Sequence, residues 1–362
     1  MNRCIGIVNL DENENRMNEL VKNRTLASVP FAGRYRIIDF ILSNMTNSGI
    51  DTIGIFTKNK SRSLLEHLSN GRPWDLHRKQ GGMKVFNFGN IDPFYEDVNN
   101  FSENIEFLKH SKCEYILLTS SYMICNIDFS KALKKHKKSG NDITMVYKNV
   151  DNSTSKFDNC QIIKRDENGR VIAIRKNSAN NKNVDINMEM YIMKKELFIQ
   201  IVEESVNSGL YKKVKEYIQI NIDDLKVGGY EFNGYLACVN SVSNYYDANM
   251  DLLNVEVNKE LFHSENRIYT KVKDEPPTQY SPSAKVENSM IANGCHIEGT
   301  VKNSLIFRKV KVQPGVELNN CVVMQNTIIE KNAKLINVIV DKGGIIMENE
   351  DKTGSESLPL VI

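Results

Sequence analysis

VENSMIANGCHIEGTVKNSLIFRKVKVQPG, residues 286 to 315, repeats itself when it is cut after Thr300. The halves VENSMIANGCHIEGT and VKNSLIFRKVKVQPG are blocks of 15 residues, and VELNNCVVMQ begins a third. Val286, Val301 and Val316 recur at that step, as do Ile291 with Ile306 and Ile297 with Val312. Within a block the aliphatics are spaced by four to six residues, with Asn, Gly and Ser between them. The pattern predicts a β-solenoid whose coils have three short faces, aliphatics pointing inward and small residues turning the corners. An antiparallel sandwich would need alternation and longer strands. About four coils fit, and so short a stack needs its end covered by the first domain or another subunit.

Upstream the period is different. CIGIV (4–8), TIGIFT (52–57), YILLTS (115–120) and ITMVY (143–147) are short apolar runs suited to buried strands of a mostly parallel sheet. Helical patterns lie between them. In RIIDFILSNMTNSG, Ile37, Ile38, Ile41, Leu42 and Met45 share a face and Gly49 stops the helix. SRSLLEHLSNG, FSKALKKHKKSG and KKELFIQIVEESVNSG also end in glycine, and SNYYDANMDLLN is a helix capped at Ser243 or Asn244. QIIKRDENGRVIAIR reads as a hairpin turning at Glu167-Asn168-Gly169. The expected organisation is an α/β domain of Rossmann-like kind over 1–255, a linker over 256–280 marked by DEPPTQYSPSA, and the solenoid over 281–362.

Bulk properties exclude several classes. With 47 basic against 45 acidic residues the formal charge is +2, which argues against nucleic-acid or membrane-surface binding. Hydrophobic residues make up 41%, and no apolar run approaches the ~20 residues of a membrane span. MNRCIGIVNL is too short and too soon interrupted for a signal peptide. Seven scattered cysteines without a C-x-x-C pair argue against a disulfide framework or a zinc site, and so for a reducing cytoplasm.

One turn contradicts its position. After the first strand, IVNLDENENRM (7–17) carries Asp11, Glu12 and Glu14 where α/β proteins commonly place a glycine-rich phosphate cradle, and NRMNELV could then open a helix. Two unit charges 4 Å apart repel by ~4 kcal/mol at an effective dielectric of 20. One such contact would cost a phosphate a factor of about 100 or more in affinity, at ~1.4 kcal/mol per decade.

VPFAGRYRIIDFILSNMTNSGI (29–50) and PPTQYSPSAKVENSMIANGCHIEGTV (276–301) resemble the matching segments of the glucose-1-phosphate adenylyltransferases, the ADP-glucose pyrophosphorylases. The resemblance covers nearly the whole chain and implies a nucleotidyltransferase (GT-A, Rossmann-like) domain followed by a left-handed β-helix. It also implies a magnesium-dependent reaction of ATP with glucose 1-phosphate. Against the family's G-G-x-G-T-R-L turn, Asp11, Glu12 and Glu14 stand on the glycines, Arg16 keeps the arginine and Met17 replaces the leucine. Leu26 replaces a family lysine, although Arg24 remains. Tyr122 in YILLTSSYMICNIDF and Cys238 in GYLACVNSVSNYYDAN stand where the metal aspartates belong. In VIAIRKN, Arg175 takes the place of the family's glutamate and Lys176 keeps the sugar-phosphate lysine. FYEDVNNF (94–101) is what survives of a nucleotide-side motif.

A phenol and a thiol are poor magnesium ligands. The resemblance therefore narrows to the family's non-catalytic, GlgD-type subunit, which assembles with a catalytic subunit and raises its activity in glycogen biosynthesis. It implies a hetero-tetramer, or a homo-oligomer when alone, and no cofactor required by this chain. Arg16, Arg24 and Lys176 remain candidates for a residual anion or effector site, or else are ordinary exposed cations. Arg34 and Arg36 are candidates for effector contact or packing. Cys238 reads as a small core residue and His296 as structural. Two alternatives stay open: a working magnesium-dependent nucleotidyltransferase with relocated ligands, and a binding or acyltransferase protein that uses the same architecture.

Overall fold

The computed structural model describes residues 4–58, 60–87, 96–151, 155–177 and 183–362. Two compact units emerge. The first comprises residues up to Glu12, Phe40–Leu236 and Asn266–Ile268; the second comprises Asn13–Asp39, Ala237–Glu265 and Tyr269–Ile362.

The first unit is built on a mixed sheet. Its strands are β1 (Cys4–Leu10), β2 (Thr52–Thr57), β3 (Gly82–Asn87), β4 (Tyr115–Thr119), β5 (Ile143–Val150), β6 (Gln161–Arg165), β7 (Val171–Lys176), β8 (Val184–Lys194) and β9 (Val227–Glu231). They run in the order β7-β6-β8-β4-β1-β2-β3, with β5 also paired to β8 and β9 to β5. β4, β1, β2 and β3 are mutually parallel, whereas β8 is antiparallel to β4, β5 and β6. The central strands read as unbroken apolar runs because both their faces are covered. Ile5, Ile7, Ile116 and Leu118 join Phe101 and Phe198 in one core. Cys4, Leu117 and Ile192 line a small cavity with Phe129 and Leu133. The helices concerned are α3 (Asp97–Glu103), α4 (Phe129–Ser139) and α5 (Lys195–Ser208); α1 (Ile37–Asn47), α2 (Arg62–Leu68) and α6 (Val214–Ile220) complete those of interest here.

Local chemistry corrects three details. NRMNELV forms only a 3-10 turn, Asn18–Val21, because Asn18 takes φ 46° and interrupts any longer helix. Helix α2 is closed by Ser69, at φ 49°, ahead of Gly71. Helix α7 (Val242–Met250) is capped by Ser241, whose side chain accepts from the Asn244 backbone N–H at 3.1 Å. The hairpin β6–β7 does turn at Asp166–Gly169, with Gly169 at φ 79°.

The second unit contains the left-handed parallel β-helix, with three faces each five strands deep. Val286 lies opposite Val301, Ile291 opposite Ile306 and Ile297 opposite Val312, as the repeat predicts. The third position does not follow. Val301 faces Leu318, not Val316, because the step lengthens from 15 to 17 residues at Gln313-Pro314-Gly315-Val316. The corner Glu298-Gly299 is the short one, and a Cβ on Gly299 would lie 2.5 Å from the Val316 carbonyl. Another corner is formed by Asn288, Asn303, Asn320 and Asn337, all at φ between 42° and 54°. Asparagine tolerates this region better than other non-glycine residues. Side-chain amides link the column: Asn288 donates to Asn303 at 2.8 Å and Asn320 to Asn337 at 3.1 Å.

Residues 13–39 and 237–265 group with the β-helix through hydrogen bonds inside that unit. The Tyr245 hydroxyl donates to the Pro30 carbonyl at 2.7 Å, Ala32 N–H to Asn249 at 3.0 Å, and the Tyr246 hydroxyl to the Asn320 carbonyl at 2.8 Å. Helix α8 (Val255–Phe262) occupies the start of the segment expected as linker. No helix among the described residues is long and apolar enough to cross a membrane.

Candidate functional site: a cleft filled by its own carboxylates

In α/β sheets, ligands bind beyond the carboxyl ends of the parallel strands. Here that place, at the tips of β1 and β4, is a pocket lined among others by Asp11, Glu12, Asp97, Glu189, Lys213 and Lys215. It holds about 40 Å³ of open space, enough for a few waters. Small-molecule sites usually offer ~300–1,000 Å³.

What fills it are internal ion pairs. Lys58, just past the end of β2, reaches Asp11 at 2.7 Å and Glu96 at 3.7 Å. Lys213, preceding α6, reaches the same two carboxylates at 2.8 and 3.4 Å. Four chain segments thus meet in one network. Burial alone would raise the Asp11 carboxyl, but Lys213 and then Lys58 overcome it and hold Asp11 below the usual carboxylate range. Burial would likewise lower the Lys213 ammonium, yet Asp11, Glu96 and Asp97 raise it. Beneath the network Asp97 accepts from the Asn9 amide at 3.0 Å and from Val214 N–H at 3.1 Å. Burial, with a smaller contribution from the Asp11 charge, pushes its carboxyl up to about 7. Glu189, strained at φ 53°, is paired with Lys215 at 3.0 Å.

The other two turn carboxylates are also engaged. Glu12 Oε1 accepts from both the backbone N–H and the hydroxyl of Ser121, each at 2.6 Å. In the second unit, Glu14 Oε1 accepts from Leu26 N–H at 2.6 Å, at the start of the 3-10 turn Leu26–Ser28. Each carboxylate of DENE therefore sits on donors of the kind that would hold a phosphate: backbone N–H, hydroxyl or ammonium.

The remaining candidates divide by unit. Tyr122, buried beside Ser121, belongs to the first; Cys238, buried in the two-residue strand Ala237–Cys238, belongs to the second. Arg24, offered as a possible anion ligand, is committed elsewhere: Nε donates to the Leu20 carbonyl at 2.7 Å and its guanidinium is ion-paired with Asp341. Arg16 is exposed. Lys176 lines a different groove of the first unit. Arg34 lies over the Tyr35 ring at 5.0 Å and donates to its hydroxyl, while Arg36 N–H donates to Asp39 at 2.9 Å. His296 is exposed on a β-helix strand, in register with Gln279 and Lys311. Phe94 and Tyr95 of FYEDVNNF lie outside the described residues.

Sequence reasoning missed Lys58, Glu96, Asp97, Lys213, Glu189 and Lys215. Glu96 and Asp97 were within reach, since they fall inside FYEDVNNF. The lysines carry no local signal, because only the fold brings residues 58 and 213 to residue 11. Asp11 and Glu96 already share two ammonium groups, and among the described residues no group of three or more His, Cys, Asp or Glu side chains is placed to hold a metal ion.

Fold and cleft position define a protein of the nucleotidyltransferase class with an appended β-helix. Residues 15–255 match the nucleotidyl transferase family model, and residues 277–356 match the GlmU-like C-terminal hexapeptide model. The glycogen biosynthesis protein GlgD of Bacillus subtilis strain 168 is 33% identical over 364 residues, covering 100% of this chain and 96% of its own. The GlgD protein of Geobacillus stearothermophilus is 34% identical over 87% of this chain and 82% of its own. A glucose-1-phosphate adenylyltransferase of Clostridium perfringens strain 13 is 32% identical over 87% of this chain and 81% of its own. The chain belongs to the nucleotidyl transferase family, in the group formed by the GlgD proteins and the glucose-1-phosphate adenylyltransferases.

Proposed function

We propose that this chain is a non-catalytic regulatory subunit in glycogen biosynthesis, working in the cytoplasm. It assembles with a catalytic glucose-1-phosphate adenylyltransferase chain, as a hetero-tetramer, and raises that chain's synthesis of ADP-glucose. The observation that carries this reading is the self-filled cleft: Asp11 and Glu12 occupy the donors at the tip of the sheet, leaving about 40 Å³. A triphosphate would have to displace them and meet their charge. The names of the relatives, in glycogen biosynthesis and in glucose-1-phosphate adenylylation, supply the pathway and the partner's reaction. The chain acts by contacting the partner's active conformation more favourably than its inactive one, a coupling typically worth ~1–3 kcal/mol.

The test is ADP-glucose formation from ATP, glucose 1-phosphate and magnesium, by the purified chain alone and mixed with its organism's catalytic subunit. No turnover alone, with a raised rate or lowered KM in the mixture, supports the proposal. Turnover by the chain alone, abolished by EDTA, would overturn it in favour of a working nucleotidyltransferase.

A further inference from the structure

Three elements of the first unit meet at one carboxyl group. Asp97, the first residue of α3, is 4% exposed. Its Oδ2 accepts from the Asn9 amide, near the end of β1, at 3.0 Å. Its Oδ1 accepts at 3.1 Å from the N–H of Val214, the first residue of α6. Both donors are neutral. The ammonium groups nearby are paired with other acids: Lys58 and Lys213 with Asp11 and Glu96, and Lys215 with Glu189. Glu12, bonded to Ser121, and Tyr191 of β8 complete the titratable lining, and burial pushes the Tyr191 phenol up.

A carboxylate buried without a counter-ion, beside another negative charge, is costly, and such a group keeps its proton instead. Burial and then the Asp11 charge raise the Asp97 carboxyl to about 7, against the smaller pull of Lys213 and Lys215. The bonding ties this proton to the cleft. Water reaches Oδ1 when the start of α6 lifts and Val214 gives up its bond. Lys213 is the preceding residue, so the same movement draws its ammonium off Asp11. Hydration of Asp97 and release of the Asp11 turn are therefore one motion.

We propose that closure of this cleft is proton-linked: the closed arrangement holds Asp97 as the neutral acid, and lifting the start of α6 hydrates the carboxyl and releases the proton to solvent. Closing takes the same proton up. The opening equilibrium then rises by at most ~tenfold per pH unit from the ordinary value of 3.8 toward about 7, and levels off above it. Acid tightens the latch, and neutral pH loosens it. The latch stands apart from the subunit role proposed above, because it is read on the chain alone.

The experiment is amide hydrogen exchange of the full chain from about pH 5 to about pH 9, with each rate divided by its intrinsic chemical rate. Peptides carrying Val214 and Ser121 report the cleft, since both N–H groups donate to its carboxylates. A β-helix peptide around Val301 is the reference for global unfolding. In the parent, protection at Val214 and Ser121 should fall as pH rises toward 7 and then become flat, while the reference does not follow. In Asp97→Asn, which cannot release the proton, cleft protection should not vary with pH. Asn9→Ala removes a donor to the ionised form and should move the levelling-off to higher pH, a shift that a merely structural role would not produce. Circular dichroism confirms that each variant is folded. Protection independent of pH in the parent, equal pH dependence in parent and Asp97→Asn, or the same fall in the reference peptide overturns the proposal.

Discussion

Lys213 Nζ lies 2.8 Å from Asp11 Oδ2, an ammonium seated on the first carboxylate of the turn that follows β1. The pair is mostly buried and is shared with Lys58 and Glu96. Removing one charge therefore leaves the others uncompensated in a low-dielectric setting.

Asp11→Asn leaves Glu96 as the one ion-pair partner that Lys58 and Lys213 share. It should lower unfolding stability by ~2 kcal/mol, between the values typical of exposed and of buried pairs. Urea denaturation of the two proteins checks this. An unchanged midpoint would mean that the network contributes nothing to stability.

Asp97 gives the pocket a signature in pH. Its carboxyl is raised to about 7, so the folded state holds a proton that the unfolded chain has released above its ordinary value of 3.8. The stability it contributes is complete below that ordinary value and is lost as pH rises through 7. The limiting slope for one group is ~1.4 kcal/mol per pH unit. In Asp97→Asn, Tm relative to the parent should therefore climb between pH 5 and pH 8; parallel curves would refute the assignment.

His136 works in the opposite sense. Burial, then the Lys194 charge, lowers its ring to about 4, and Nδ1 lies 2.8 Å from Thr144 Oγ1. Its folded pKa is below its unfolded value of 6.5, so its contribution is present above 6.5 and is lost as pH falls through 4. His136→Gln should flatten the acid limb of a pH–stability profile in that window.

In the β-helix, Asn320→Ala should cost ~1–2 kcal/mol and Asn320→Gly less, because the residue sits at φ 54°. Gly299→Ala should cost more than either, since its Cβ meets backbone carbonyls of the next coil, which cannot yield as side chains do. Thermal melts of the three variants give the order directly.

Tyr122→Asp with Cys238→Asp, at the two positions where the family resemblance implies metal aspartates, should give no ADP-glucose synthesis. The donors at the tip of the sheet remain occupied by Asp11 and Glu12. Turnover by that double variant, measured as ADP-glucose release, would show that the turn carboxylates are no obstacle.

Much of the architecture was legible in sequence because it is written in period. Val286 and Val301 state their pairing through spacing alone, and the runs CIGIV and TIGIFT state through composition that they are buried strands of a parallel sheet. Reading failed where a local insertion changed the count, as at Gln313-Pro314-Gly315-Val316, which moved Leu318 into the place expected for Val316. It also failed where one residue's conformation decided the outcome, as at Asn18 and Ser69. The site was half legible. Asp11, Glu12 and Glu14 stood out against their position, but nothing local says that Lys58 and Lys213 answer Asp11, since that pairing is made by the sheet. Nor does sequence say that Arg24, a candidate ligand, is spent on Asp341, 317 residues away.

The bond from Glu12 to Ser121 joins two residues of one chain, so it is a binding event with a built-in ligand. A tethered carboxylate meets its donors at an effective concentration set by chain geometry, commonly millimolar or above for a short link. Dilution does not lower it, and the rise and fall of a cell's nucleotide pool does not change it. Where the donors of an open cleft wait for a diffusing anion, those of Ser121 have theirs supplied by the same chain.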